Sequence, residues 1–272
     1  MSISTSIGKL SARFWAAALV LPIVFLSSPA HAEEDTGWKH EAVVYLYGTG
    51  IDGDVGIRNI SVPVDVGFDD ILDNLKFGAM GYYEARKDDQ WSLMIDAAYL
   101  SLYSKQTPVS NSILTINTKA ELSQTIVEAM LAYKVLDHED PSAFYGDVKV
   151  DVIGGARYNQ IKLSLGVEAG ALGAGSRSKK FDWVDPIIGL RTQFKPSDNV
   201  KVSLYGDVGG FGVGSDLTWQ FLARVGYQFD NNLELSAGYR FLYMDYEEGS
   251  GADYFSYDAT YQGPIIGLGY KF

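Results

Sequence analysis

The sequence contains no cysteine. Disulfides, thiolate metal sites and a cysteine nucleophile are therefore excluded. Histidine is scarce, at three residues, and proline stands at only eight in 272. Basic residues number 22 against 34 acidic ones. So acidic a chain is a poor partner for nucleic acid, whose affinity rests on lysine and arginine at phosphates. Beyond the N-terminal segment, no apolar run approaches the 18 or more residues that a membrane-spanning helix needs.

The N-terminal segment reads as an export signal. Lys9 and Arg13 supply a positive start, and Phe14 to Leu26 is an apolar stretch broken by Pro22. Ala30-His31-Ala32 has the small-x-small form of a cleavage site, with Ala30 and Ala32 as its small residues. This predicts a signal peptide over 1–32 and one domain over 33–272. Its removal leaves 20 basic against 34 acidic residues, a net charge of −14.

What remains is rich in tyrosine (18), phenylalanine (13) and glycine (29), and 47% hydrophobic. That composition suits tight strands. Apolar residues alternate with polar or small ones over segments of about ten residues. Leu233, Leu235, Ala237, Tyr239, Phe241 and Tyr243 alternate with Glu234, Ser236, Gly238 and Arg240. Trp219 to Phe229 behaves the same way. Similar rows recur around Val202, Val184, Val148, Val127, Trp91 and Phe77, and Val43, Tyr45 and Tyr47 begin the first strand. These predict an all-β antiparallel transmembrane barrel of about ten strands. Residues 55–66 could add a hairpin, which leaves eight or twelve strands open.

Short polar links at 87–90, 136–142, 195–199 and 229–232 read as periplasmic turns. Longer links at 51–76, 104–118, 165–180 and 247–257 read as outer loops, with a short one at 214–216. Within the first outer loop, Phe68, Ile71, Leu72 and Leu75 share a helical face, and Asp69 and Asp70 fall in the first turn. A short helix is expected there, as a plug or as a rim cap.

Several stretches resemble a widespread family of Gram-negative outer-membrane barrels, similar in style to the OmpA-like and OmpW-like small barrels. They are VDVGFDDILDNL at 64–75, WVDPIIGLR at 183–191, GDVGGF at 206–211, Gly238-Tyr239-Arg240 and GPIIG at 263–267. The terminal row Ile266, Leu268, Tyr270 and Phe272 resembles the C-terminal signal of known barrels. The resemblance implies an outer-membrane location, assembly by the barrel-assembly machinery with periplasmic chaperones, and contact with outer-membrane lipids. It implies no substrate and no cofactor, and leaves oligomeric state open.

The inward rows collect charges of both signs. The acids are Glu84, Asp96, Glu128, Asp147, Asp151, Asp185, Asp207 and Glu234. The bases are Arg86, Lys149, Arg157, Arg191, Arg224 and Arg240. A barrel this narrow is filled by side chains, and enclosed charges must pair. The expected result is a salt-bridged lumen, with a narrow hydrated path as the alternative. A soluble barrel would reverse the facing. For a lipid hydrolase the chain lacks a histidine at the outer end: His40 opens the first strand and His138 falls in a periplasmic turn. The glycine clusters at 170–175 and 209–214 do not form a phosphate loop. Asp245, Tyr246, Glu247, Glu248, Asp253, Tyr254 and Tyr257 make an acidic, tyrosine-rich rim that an adhesin could use. The sequence reading is thus a non-enzymatic outer-membrane barrel with a structural or narrow-channel role. A solute porin or a surface adhesin is its alternative.

Overall fold

The computed structural model describes residues 37–57, 60–105, 109–110, 115–140, 143–168 and 174–272. The expected signal segment 1–32, with Ala30 and Ala32, lies outside them. The strands in chain order are β1 (Trp38–Tyr47), β2 (Gly50–Ile57), β3 (Ile60–Val66), β4 (Leu75–Lys87), β5 (Trp91–Lys105), β6 (Val109–Ser110) and β7 (Thr115–His138). There follow β8 (Asp147–Glu168), β9 (Ala174–Ser197), β10 (Val200–Gly210), β11 (Leu217–Gln228), β12 (Leu233–Glu248) and β13 (Phe255–Lys271). Among the described residues one α-helix, α1 (Phe68–Asn74), lies between β3 and β4, and a single 3-10 turn, Gly251–Asp253, lies between β12 and β13.

Ten strands, all but β2, β3 and β6, close into an antiparallel barrel in the order β1-β4-β5-β7-β8-β9-β10-β11-β12-β13, with β13 returning to β1. The closing ladder runs from Glu41 opposite Lys271 to Tyr47 opposite Ile265. β2 continues the same register along β13, from Gly50 opposite Gln262 to Ile57 opposite Phe255. The interruption at Gly48–Thr49 has a local cause. Pro264 lacks an N–H, the Gly48 N–H donates to its carbonyl at 2.8 Å, and a Cβ on Gly263 would lie 2.1 Å from the Gly48 oxygen. β3 folds back on β2 as a hairpin at 51–66, so the extra pair extends the rim and does not change the count of ten.

On the other side of β1, pairing with β4 ends at Val44 opposite Gly81. The space above that point is where α1 sits. The shared helical face expected over 68–75 is not buried. Only Ile71 turns inward, while Phe68, Leu72 and Leu75 are 41%, 49% and 40% exposed. Seven residues give too few turns to bury a stripe, so α1 closes the rim beside β5 and does not fill the mouth.

β7, β8 and β9 are 24, 22 and 24 residues long. Residues 115–118, 165–168 and 174–180, expected in loops, extend these strands well past the apolar belt. Their ladder continues because backbone pairing does not depend on which face is apolar. The expected row Val43–Tyr45–Tyr47 also faces inward, with Val43 5% and Tyr45 8% exposed; Val44 and Leu46 face out. β1 is apolar on both faces, so alternation alone could not orient it. Gly267 and Gly269 opposite leave the room that Val43 and Tyr45 fill.

The facing of the wall reverses along the barrel. In its lower part, outward residues are apolar: Leu131 and Tyr133 on β7, Ile188 and Leu190 on β9, Leu235 and Tyr239 on β12, and Ile266, Leu268 and Tyr270 on β13. Charged residues face in. Above this belt the outward row becomes Glu121, Lys162, Lys180, Asp245 and Asp258, and the inward row becomes Ile126, Ile161, Phe181, Met244 and Tyr257. From Val184 to Phe194 the belt spans about 33 Å along the strand, or about 25 Å along the axis at a tilt of ~40°, the height that a bilayer's hydrocarbon requires.

Candidate functional site

The enclosed lumen holds the side chains singled out in the sequence, arranged in layers. At the end of the barrel that carries the short turns lies a vestibule of about 820 Å³. Beside it, Asp88 and Asp89 make the tight β4–β5 turn with positive φ (49° and 55°), a backbone shape that aspartate tolerates better than most residues. Asp89 receives Lys149 at 2.6 Å and Lys134 at 3.2 Å. Partial burial pushes the Asp89 carboxyl up, and the hydrogen bonds from the two lysines outweigh it, holding the group at about 2. Deeper in the vestibule, Glu234 meets Lys271 at 3.0 Å and Lys201 at 3.2 Å; Arg224 lies 3.5 Å from Glu41 and 3.8 Å from Glu234.

The next layer is a compact quartet. Arg191 pairs with Glu84 at 2.7 Å and with Asp151 at 2.8 Å. Arg86 reaches the same two carboxylates at 3.1 and 3.2 Å. Two guanidinium groups against two carboxylates cancel, and the Tyr82 hydroxyl donates to Glu84 at 2.6 Å. Arginine suits the position because its planar fork serves two carboxylates at once.

Above the quartet, Arg157 is fully buried. It donates to Glu128 at 2.8 Å, to both oxygens of Asp207 at 2.8 and 2.9 Å, and to Thr218 at 2.8 Å. Arg240 lies 3.3 Å from Glu128 and 3.4 Å from Asp96. This layer holds three carboxylates and two guanidinium groups. Neutral donors complete it: Tyr45 to Asp96 at 2.8 Å, Tyr205 to Asp207 at 2.6 Å, and Gln220 to Glu128 at 3.4 Å. Between the two ionic layers is a cavity of about 80 Å³ lined by Met94, Met130, Arg191, Arg240 and other side chains, room for about three waters.

Among the described residues no cation pairs with the enclosed Asp185. Its oxygens accept from Asn159 at 3.1 Å, Trp183 Nε1 at 3.0 Å, and the Ser215 amide and hydroxyl at 2.6 and 2.8 Å. Those bonds pin the short β10–β11 loop into the barrel. Over this lies a lid of apolar and aromatic side chains. Phe181 stacks on Phe255 with centroids 3.5 Å apart, and Trp183 stacks on Tyr246 at 3.9 Å. Ile51, Ile71, Ile126, Ile161, Leu242, Met244 and Tyr261 fill the rest.

The expected charge set thus divides. Glu84, Arg86, Asp151 and Arg191 meet in the quartet, and Asp96, Glu128, Arg157, Asp207 and Arg240 in the layer above. Arg224 and Glu234 belong to the vestibule, and Lys149 to the turn. Asp147 makes no ion pair among the described residues, and Asp185 is held by hydrogen bonds alone. Both departures follow from position: Asp147 opens its strand at the barrel's wet end, and Asp185 lies beneath the folded-in loop. The expected charge set left out Lys201, Tyr205 and Gln220, which lie on rows the alternation already turned inward, and the sequence reading missed Glu41 and the inward facing of Tyr45. Glu41 shares a face with Val43 and Tyr45, a signal present but unused because the row was not oriented. His40 stacks with Phe272 and bonds Tyr83 at 2.8 Å at the base of the wall. No group of three or more metal-ligating residues occurs among the described residues.

No family model and no curated protein matches the chain. Solved structures do match. The chain is similar to the outer membrane protease OmpT of Escherichia coli, with a TM-score of 0.54 at 9% identity, over 88% of this chain and 98% of that one. The fold is that of a Gram-negative outer-membrane β-barrel. Weaker likenesses are to Ail, the attachment invasion locus protein of Yersinia pestis (TM-score 0.35, 13% identity, 87% of this chain and 99% of that one), and to Neisserial surface protein A (0.27, 14%, 87% and 97%). At 9% identity the likeness to OmpT shows the barrel fold alone.

Proposed function

We propose that the protein is a non-enzymatic integral component of the outer membrane, a sealed barrel that serves as a rigid envelope element and not as an open pore. The observation that carries this is the pair of barriers across the lumen: ion-paired layers at belt depth and an apolar, aromatic lid above them. Ions entering from the periplasm would meet guanidinium–carboxylate clusters, one balanced and one with a carboxylate in excess, then a tightly packed layer whose few polar groups, Tyr257, Tyr261 and Gln124, bond to one another. Crossing that layer costs an unpaired ion far more than thermal energy supplies.

A hydrolase acting on outer-leaflet lipid needs a nucleophile and base at the outer rim. His40 lies at the base of the wall and His138 ends β7 on the periplasmic side, which supports the non-catalytic reading. The expected result in planar bilayers is no stepwise conductance from the refolded barrel at physiological salt. Reproducible single-channel steps from pure protein would replace this reading with a solute channel.

A further inference from the structure

Above the apolar belt the outer wall is electrically uneven. On β12, β13 and β2 its outward positions carry Asp245, Asp258 and Asp54, each directly opposite the next across the strands. On β7 to β9 the character changes. Lys162 of β8 stands directly opposite Lys180 of β9, and Ser123 of β7 directly opposite Lys162. Directly paired positions hold their Cβ atoms about 5 Å apart, so two like charges there repel unless something of opposite sign lies between them. Both lysines are exposed.

The nearby carboxylates relieve the repulsion only in part, Glu121 acting on Lys162 from beyond ion-pair distance. Asp182 takes Lys180 at 3.2 Å, and Glu121 is held by Lys76 at 2.8 Å. Lys162 makes no ion pair among the described residues. The height of the pair is also informative. Lys162 follows Tyr158, and Lys180 precedes Val184, by four residues, about 10 Å along the axis above the belt's upper edge. Headgroups occupy roughly the first 5–8 Å beyond hydrocarbon, within reach of a lysine side chain that bends toward the membrane.

We propose that Lys162 and Lys180, with the Ser123 hydroxyl, clamp the phosphomonoester of a phosphorylated glycolipid in the outer leaflet. Two ammonium groups neutralise a dianionic phosphate, and the hydroxyl supplies a further donor. Because Asp182 shares Lys180, Lys162 is the principal ligand. A zwitterionic diester headgroup carries its own ammonium and fits such a pair poorly. The site rests on the outer-membrane reading above for the identity of its occupant.

The test uses the refolded full-length barrel in detergent and native mass spectrometry, with bis-phosphorylated lipid A, its dephosphorylated form and phosphatidylethanolamine as probes. The unmodified barrel is expected to prefer the phosphorylated lipid at least tenfold over the other two. K162Q/K180Q is expected to lose that preference while keeping the heat-modifiable gel shift of a folded barrel, and D245N to retain it. Equal binding of phosphorylated and dephosphorylated lipid, or an unchanged preference in the double variant, would overturn the proposal. Full displacement of the lipid by millimolar inorganic phosphate would assign the lysines to the free ion and overturn it as well. Membrane fractionation tests location separately: barrel found outside the outer-membrane fraction, with the lipid preference intact, refutes the location and leaves the binding chemistry standing.

Discussion

Arg191 and Arg224 both face the lumen, yet their surroundings differ. Arg191 bridges two carboxylates at 2.7 and 2.8 Å and is 5% exposed, whereas Arg224 approaches its partners only to 3.5 and 3.8 Å at 16% exposure. Removing one partner of a buried pair strands the other charge, at a cost of about 3–5 kcal/mol. Arg191→Met should therefore lower the urea-unfolding free energy of the refolded barrel by about that much, and Arg224→Met by less than about 1 kcal/mol. Equal losses would show that the quartet is not the stronger element. Asp89 gives a pH signature. Its folded carboxyl titrates at about 2, below the ordinary aspartate value of about 3.9. Its ion pairs thus add stability above about pH 4, and that stability is lost as pH falls toward 2. The difference in melting temperature between the unmodified protein and Asp89→Asn should be full at neutral pH and vanish near pH 2. A difference independent of pH would contradict the assignment.

At the scale of single strands, closure depends on glycines where the wall folds tightly on its own side chains. A Cβ on Gly267 would lie 3.1 Å from Val43 Cγ1 and 3.4 Å from Tyr45 Cβ, inside the barrel. At Gly154, on the outward face, nothing lies within 4 Å. Gly267→Leu should cost about 1–3 kcal/mol or prevent closure, as overpacking does, while Gly154→Leu should leave the folded fraction unchanged. Heat-modifiable electrophoresis reads both. Strands such as β9 and β12 were legible in the sequence because their lower rows separate charge from hydrocarbon cleanly. β1 was legible as a strand but not in its facing, since Val43–Tyr45 and Val44–Leu46 are equally apolar. The helix over 68–75 was legible by period, but its burial was not: whether Phe68 or Ile71 turns inward depends on the neighbouring β1–β4 gap.

Across the whole molecule, two opposite solvation rules hold in one continuous wall. The lower part is built like a membrane barrel and the upper part like the core of a soluble one. Trp183 and Asp185 sit two residues apart on the same inward row, one at the lid and one beneath it. The sequence displays both residues but not the level at which the rule changes, because that level is set by pairing register among β8, β9 and β12. For the same reason the lid of Phe181, Tyr246 and Phe255 was invisible in the sequence: Phe255 fell in the expected outer loop 247–257, and Phe181 and Tyr246 lie just past the rows that the alternation located. The pairing of individual charges was equally hidden, since fourteen candidates on eight strands admit many partnerships and only register selects among them.

The absence of cysteine lets a single introduced thiol report on its surroundings, and spin-label accessibility along β9 in lipid bilayers tests the double facing most directly. Labels at 188 and 190 should collide freely with oxygen and hardly at all with a water-soluble nickel reagent; labels at 178 and 180 should show the reverse, and a label at 181 should meet neither. Nickel access at 188 and 190 in the folded, lipid-inserted protein would contradict the account.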